Sequence, residues 1–137
     1  MVILAALMTA CGESKPDAAQ VAVGGKLYAE HCAACHGARL EGQPNWRERM
    51  ANGRMPAPPH DESGHTWHHN DRVLFGITKY GLKPPYAPPN YESDMPAFAG
   101  KLSDEEIRAV LAYISSHWIS AEVLAARAEI IRNSEKR

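Results

Sequence analysis

Cys32-Ala33-Ala34-Cys35-His36, followed directly by Gly37, is the stretch on which the reading of this chain turns. Two thiols three residues apart can each add to one vinyl group of a single porphyrin. The histidine after them then stands beneath the iron as its proximal ligand. This C-x-x-C-H pattern is the attachment pattern of a c-type haem. One such pattern means one covalent haem, held by Cys32 and Cys35 with His36 as an axial ligand. The group on the other iron face then decides between electron carrier, gas binder and peroxidase.

The bulk numbers bound the answer. At 137 residues the chain suits one domain. A net charge of −1 gives no footprint for nucleic acid. Ten prolines and ten glycines concentrate between Gly37 and Gly100, so the middle of the chain is expected to be loop-rich. Three cysteines are present, and the haem pattern uses two of them, which leaves Cys11.

Met1 to Ala10 is an apolar run ending in small residues ahead of Cys11. It is too short to span a bilayer, which takes ~20 apolar residues, but it has the length of a signal h-region. With Cys11 at the junction it resembles a bacterial lipoprotein signal, in which the cysteine is lipidated and becomes the mature N-terminus. Met8 and the lack of a basic n-region depart from that pattern. Residues 1–10 are read as signal and the polar residues 11–20 as a tether. The folded domain is expected over 21–118, with a helical tail over 119–137.

Helix signals recur along the domain. The first helix is expected from about Gly24 to Ala34, carrying Leu27, Tyr28 and the motif cysteines. Asn70 can cap a helix through Tyr80, with Gly81 as its stop. Ser103-Asp104-Glu105-Glu106 forms a capping box. Behind it Ile107, Val110, Leu111, Ile114 and Trp118 make one apolar stripe. Ser120 can cap a last helix bearing Val123, Leu124, Ile130 and Ile131. No strand pattern of useful length occurs, so the fold class is all-α.

The sixth iron ligand must come from chain that folds back over the porphyrin. Met95, in Asp94-Met95-Pro96, lies at the end of the proline-rich stretch and ahead of the capped helix. His/Met ligation favours reduced iron and leaves no open coordination position. Met55 also precedes a proline and is a rival, although it follows His36 closely and has little chain with which to reach the opposite face.

With these residues in hand, the chain resembles a class I c-type cytochrome across Val21 to Trp118. The resemblance implies a small domain whose N- and C-terminal helices cross around one covalent haem c. Gly24 and Tyr28 fall at the helix-contact positions of that family, with Val110 and Tyr113 as their partners. Pro44 falls where a backbone carbonyl is expected to accept a hydrogen bond from the proximal imidazole.

His60, His65, His68 and His69 crowd the loop from Pro59 to Asn70. One reading places His65, Trp67 and His68 at the haem edge, donating to the propionates. A second makes the loop a site for copper or another divalent metal, aided by Asp61 and Glu62.

The function expected from the residues and the resemblance is electron transfer rather than catalysis. The partners would be redox proteins such as respiratory complexes or oxidases. The chain would work in the bacterial periplasm or on the outer cell surface, held to a membrane through lipid on Cys11. Two other classes stay open on the residues alone: a haem enzyme of peroxidase or nitrite-reducing type with a displaceable distal ligand, and a copper-handling protein using His60–His69.

Overall fold

The computed structural model describes residues 16–136. Met1–Ala10 and Cys11 therefore lie outside the described residues. Among the described residues five α-helices occur in the order α1 (Ala18–His31), α2 (Ala33–His36), α3 (Asp71–Tyr80), α4 (Asp104–Ser115) and α5 (Ala121–Glu135). A 3-10 turn spans Thr66–His68. The described residues form no β-strand, and the architecture is all-α as the sequence pattern requires.

Local chemistry accounts for most of the helix ends. Asn70 Oδ1 accepts from the Val73 amide at 3.0 Å and opens α3, which ends at Gly81 with φ +84°. The Ser103–Glu106 capping box is fully formed at the start of α4. Ser120 caps α5 through the Val123 amide at 3.3 Å. The first helix departs from expectation at both ends. Asp17 caps it, so residues 18–20, expected in the tether, form its opening turn. Ala18, Ala19 and Gln20 are good helix formers once that cap is in place. The helix breaks at Cys32, and α2 carries Cys35 and His36 on a separate short turn.

The domain is organised by the crossing of α1 and α4. A Cβ on Gly24 would stand 1.9 Å from the Ala109 carbonyl oxygen, so the two backbones meet where no side chain intervenes. One turn on, the buried Tyr28 ring packs against Tyr113 at 5.3 Å between centroids. Tyr28, Leu40, Leu74, Val110, Ile114, Trp118 and Val123 form one apolar cluster, and Phe98, Leu102 and Ile107 form a second. Leu27 and Leu111 pack against both clusters and join them. The end of α3 is tied to the start of α4 by Lys79 and Asp104 at 2.7 Å.

The tail belongs to the domain. Val123 is buried in the main cluster, and Arg127 reaches back from α5 to the carbonyls of Trp67 and His69 and to Asp71. The Arg127 guanidinium also lies over the Trp118 ring at 5.0 Å. No described helix is long and apolar enough to cross a membrane.

The crossing sets a test. Gly24→Ala forces the α1 and α4 backbones apart and is expected to cost on the order of 1–3 kcal/mol or more. At Gly25 an added Cβ meets only the Tyr113 ring, at 3.1 Å, and that side chain can move. Gly25→Ala also gains helix propensity of roughly 0.5–1 kcal/mol, so its net effect is expected near zero. Denaturant unfolding of the two variants checks the contrast, and equal losses would place the critical contact elsewhere.

Candidate haem-binding site

The attachment pattern sits at the junction of α1 and α2. The Cys35 and His36 amides both donate to the Cys32 carbonyl, at 3.1 and 2.9 Å, which curls the pentapeptide into one turn. Both cysteines are free thiols; Cys32 is half-buried and Cys35 exposed. Burial pushes the Cys32 thiol up to about 11, with the neighbouring Cys35 adding to the effect.

His36 is 7% exposed. Its Nδ1 donates to the Pro58 carbonyl at 2.9 Å, so the ring's other nitrogen, Nε2, keeps its lone pair. Burial lowers the affinity of this imidazole for a second proton, and the Pro58 hydrogen bond opposes that only in part. A neutral, oriented imidazole beside two unpaired thiols is a donor set that fits a covalently attached haem.

Pro58, and not Pro44, supplies the orienting carbonyl. The chain after α2 turns back at Gly42, whose amide donates to the His36 carbonyl at 2.8 Å. Gln43 then pairs with Ala57, by Gln43 N to Ala57 O at 2.9 Å and Ala57 N to Gln43 Oε1 at 2.8 Å. Gly42 (φ +69°) lies so close to Pro59 that a Cβ would stand 2.4 Å from the Pro59 nitrogen. This pairing brings Pro58 against His36 and leaves Pro44 exposed.

His60 lies within the same shell. Its ring is stacked on that of His36, with centroids 3.9 Å apart and planes 20° from parallel. Its Nδ1 meets Thr66 Oγ1 at 2.8 Å, and burial, followed by the neighbouring His36 and His65, holds its affinity for a proton well below the ordinary histidine range. Tyr28 stands edge-on to His60 and donates its hydroxyl to the Gly37 carbonyl at 2.9 Å. Desolvation raises the Tyr28 phenol well above its usual range.

Met95 is half-buried and packs against the Phe98, Leu102 and Ile107 cluster. The chain on either side of it is pinned. Before it, Asp94 and Glu92 pair with Arg54, the residue ahead of Met55. After it, the Phe98 and Ala99 amides donate to the Thr78 and Lys79 carbonyls, at 3.1 and 2.9 Å.

The histidine loop divides: His60 faces one way, while the His65 and His69 rings meet edge to face at 5.6 Å. Among the described residues no three His, Cys, Asp or Glu side chains come together to hold an ion. His60 turns inward to His36, while exposed His65 stacks on Trp46 at 5.3 Å and exposed His68 on Trp67 at 3.7 Å. Asp61 accepts from the Ser63 amide at 2.9 Å, and Glu62 accepts from the amides of Ile119 and Ser120, at 2.5 and 2.7 Å. The Trp67 indole N–H, expected to face a propionate, donates to the Glu62 carbonyl at 3.2 Å inside its own loop. Pro58 was not singled out by the sequence, and the contacts of His60 and Glu62, named there only as possible metal ligands, were not legible because each acts on a residue distant in the chain.

Residues 21–118 match the Cytochrome c family. The chain belongs to the cytochrome c family. Cytochrome c6 of Leptolyngbya boryana is 30% identical over 96 residues, spanning 70% of this chain and 91% of the relative. Cytochrome c6 of Thermosynechococcus vestitus is 30% identical over 97 residues, 71% of this chain and 70% of its own. Cytochrome c6 of Synechococcus elongatus is 29% identical over 96 residues, 70% of this chain and 88% of its own. No solved structure matches the chain significantly. As a cytochrome c the protein carries one covalently attached haem c and is an electron carrier, not an enzyme. The matched region ends at Trp118, so α5 lies wholly outside it.

Tyr28 offers a direct probe of the shell. Tyr28→Phe leaves the Gly37 carbonyl without its partner and is expected to cost about 1 kcal/mol. Because the folded phenol ionises above the ordinary value of 10.0, the unfolded chain loses its proton first and stability falls as pH rises past that value. Tyr28→Phe is therefore expected to flatten the stability–pH curve above pH 10 relative to wild type, as read by denaturant midpoints; an unchanged slope would assign the loss to other groups.

Proposed function

We propose that Cys32 and Cys35 hold the haem as two thioethers and that His36 and Met95 close the iron on its two faces. The observation that carries this reading is the 2.9 Å bond from His36 Nδ1 to the Pro58 carbonyl, which leaves Nε2 free for the iron. When bound, the haem supplies a one-electron couple at its iron. The chain's own residues contribute ligand identity, orientation and exclusion of water. His36 is fixed by Pro58, and Met95 is offered from a segment pinned at Arg54 and at the end of α3. A thioether in the sixth position keeps the site closed to substrates and raises the potential.

The partners we assign are membrane-associated redox proteins, such as respiratory complexes or oxidases, met through small transient interfaces. Lipid on Cys11 would hold the domain at a membrane surface outside the cytoplasm, in the periplasm or on the outer face of the cell. The tether would raise its effective concentration near those partners. The Trp67, His65 and His68 neighbourhood remains our assignment for the haem surroundings, with their rings rather than the Trp67 N–H as the contact.

Two measurements test the reading. The oxidised holoprotein is expected to show the weak sulfur-to-iron absorption band at ~700 nm that Met ligation produces. Met95→Ala is expected to abolish that band and to let the reduced protein bind carbon monoxide, whereas Met55→Ala leaves both unchanged. A band that survives in Met95→Ala overturns the ligand assignment. For the anchor, the full chain expressed in a bacterial host is expected in the membrane fraction and Cys11→Ser in the soluble periplasmic fraction. Equal partitioning of the two would refute lipidation.

A further inference from the structure

A half-buried imidazole stacked face to face on His36 calls for a physical explanation. An aliphatic side chain would fill the same space with no polar atom to satisfy. Instead the fold holds His60 on several sides. Its amide donates to the Leu40 carbonyl at 2.8 Å, and its carbonyl accepts from Trp118 Nε1 at 2.9 Å. Thr66 gives its one hydroxyl proton to the Pro59 carbonyl at 3.3 Å, so its oxygen accepts from His60 Nδ1. The Tyr28 ring stands edge-on to His60 at 6.4 Å.

These anchors are reinforced from beyond the family-matched region. Glu62, two residues after His60, receives the amides of Ile119 and Ser120. Arg127 on α5 holds the Trp67 and His69 carbonyls at the far side of the same loop. The C-terminal extension therefore braces the loop that presents His60 to His36.

We propose that His60 is a positioning residue for His36: its stacked ring fixes the plane of the proximal imidazole and its electronic environment, and through them the properties of the iron. This inference rests on His36 being the iron ligand. The hydrogen bond to Pro58 constrains one edge of the His36 ring, and rotation about that bond would tilt the ring out of plane. The parallel face of His60 at 3.9 Å blocks that tilt. Aromatic faces carry negative charge density and favour positive charge placed against them. Stacking therefore stabilises His36 most when it donates strongly to oxidised iron, which lowers the reduction potential.

The test uses the holoprotein with His60→Leu and His60→Phe. Leucine removes the π face, and phenylalanine retains it without the imidazole nitrogens. His60→Leu is expected to raise the reduction potential and to change the g-value spread of the ferric electron paramagnetic resonance spectrum. His60→Phe is expected to restore both towards wild type. If His60→Leu folds, keeps the ~700 nm band and leaves potential and g-values unchanged, His60 has no positioning role. If His60→Phe shifts as far as His60→Leu, the stacked face is not the agent and the proposal is overturned. Should His60→Leu fail to fold, Thr66→Val takes its place: loosening His60 is expected to move the g-values in the same direction, and unchanged g-values count against the proposal. Failure of the underlying ligand reading has a separate mark, because His36→Ala would then leave the wild-type absorption spectrum intact.

Discussion

A Cβ on Gly24 would overlap the Ala109 carbonyl, and the missing atom lets α1 and α4 cross backbone to backbone. That close approach has consequences at both ends of the helices. It seats Tyr28 against Tyr113 and buries it, so that the Tyr28 hydroxyl can reach Gly37 beside His36. It also directs the end of α1, where the chain breaks at Cys32 and presents two thiols and an imidazole on one turn. The site is thus an extension of the helix crossing, and the precision of the first depends on the rigidity of the second.

The surroundings of His36 are built from irregular chain, and irregular chain needs external ties. Pro58 offers a carbonyl to His36, His60 offers a ring face, and neither position is held by a regular element. The ties come from far away in the sequence: Leu40 in the first loop, Trp118 after α4, and Ser120 and Arg127 around α5. This gives α5 a structural role. A helix outside the family-matched region does not extend the domain as an independent appendage; it locks the loop that shapes the environment of His36.

The histidine loop shows how composition misleads when partners are unknown. Four imidazoles in ten residues admit two readings from composition, a loop at the haem edge and a metal-binding tract. The fold assigns them separate tasks. One stacks on His36, others stack on Trp46 and Trp67, and the loop's carboxylates are engaged with backbone amides. Asp61 and Glu62 were legible as acidic residues, but their attachment to Ser63 and to the start of α5 was not. A similar limit applies to Pro44. Family spacing singles it out, yet the turn at Gly42 and the pairing of Gln43 with Ala57 deliver Pro58 instead.

By itself the sequence determined what depends on near neighbours. The Ser103 capping box, the Asn70 and Ser120 caps, the apolar stripe of α4 and the C-x-x-C-H turn all act over one or two helical turns. Local hydrogen bonding and periodicity are enough to specify them. Tertiary structure alone decided which carbonyl orients His36, which histidine turns inward, and what the C-terminal helix does. Each of those outcomes is a contact between residues tens of positions apart across loops without periodicity. There the partner is chosen by how the helices pack and where the connecting chain must pass, and no local pattern carries that information.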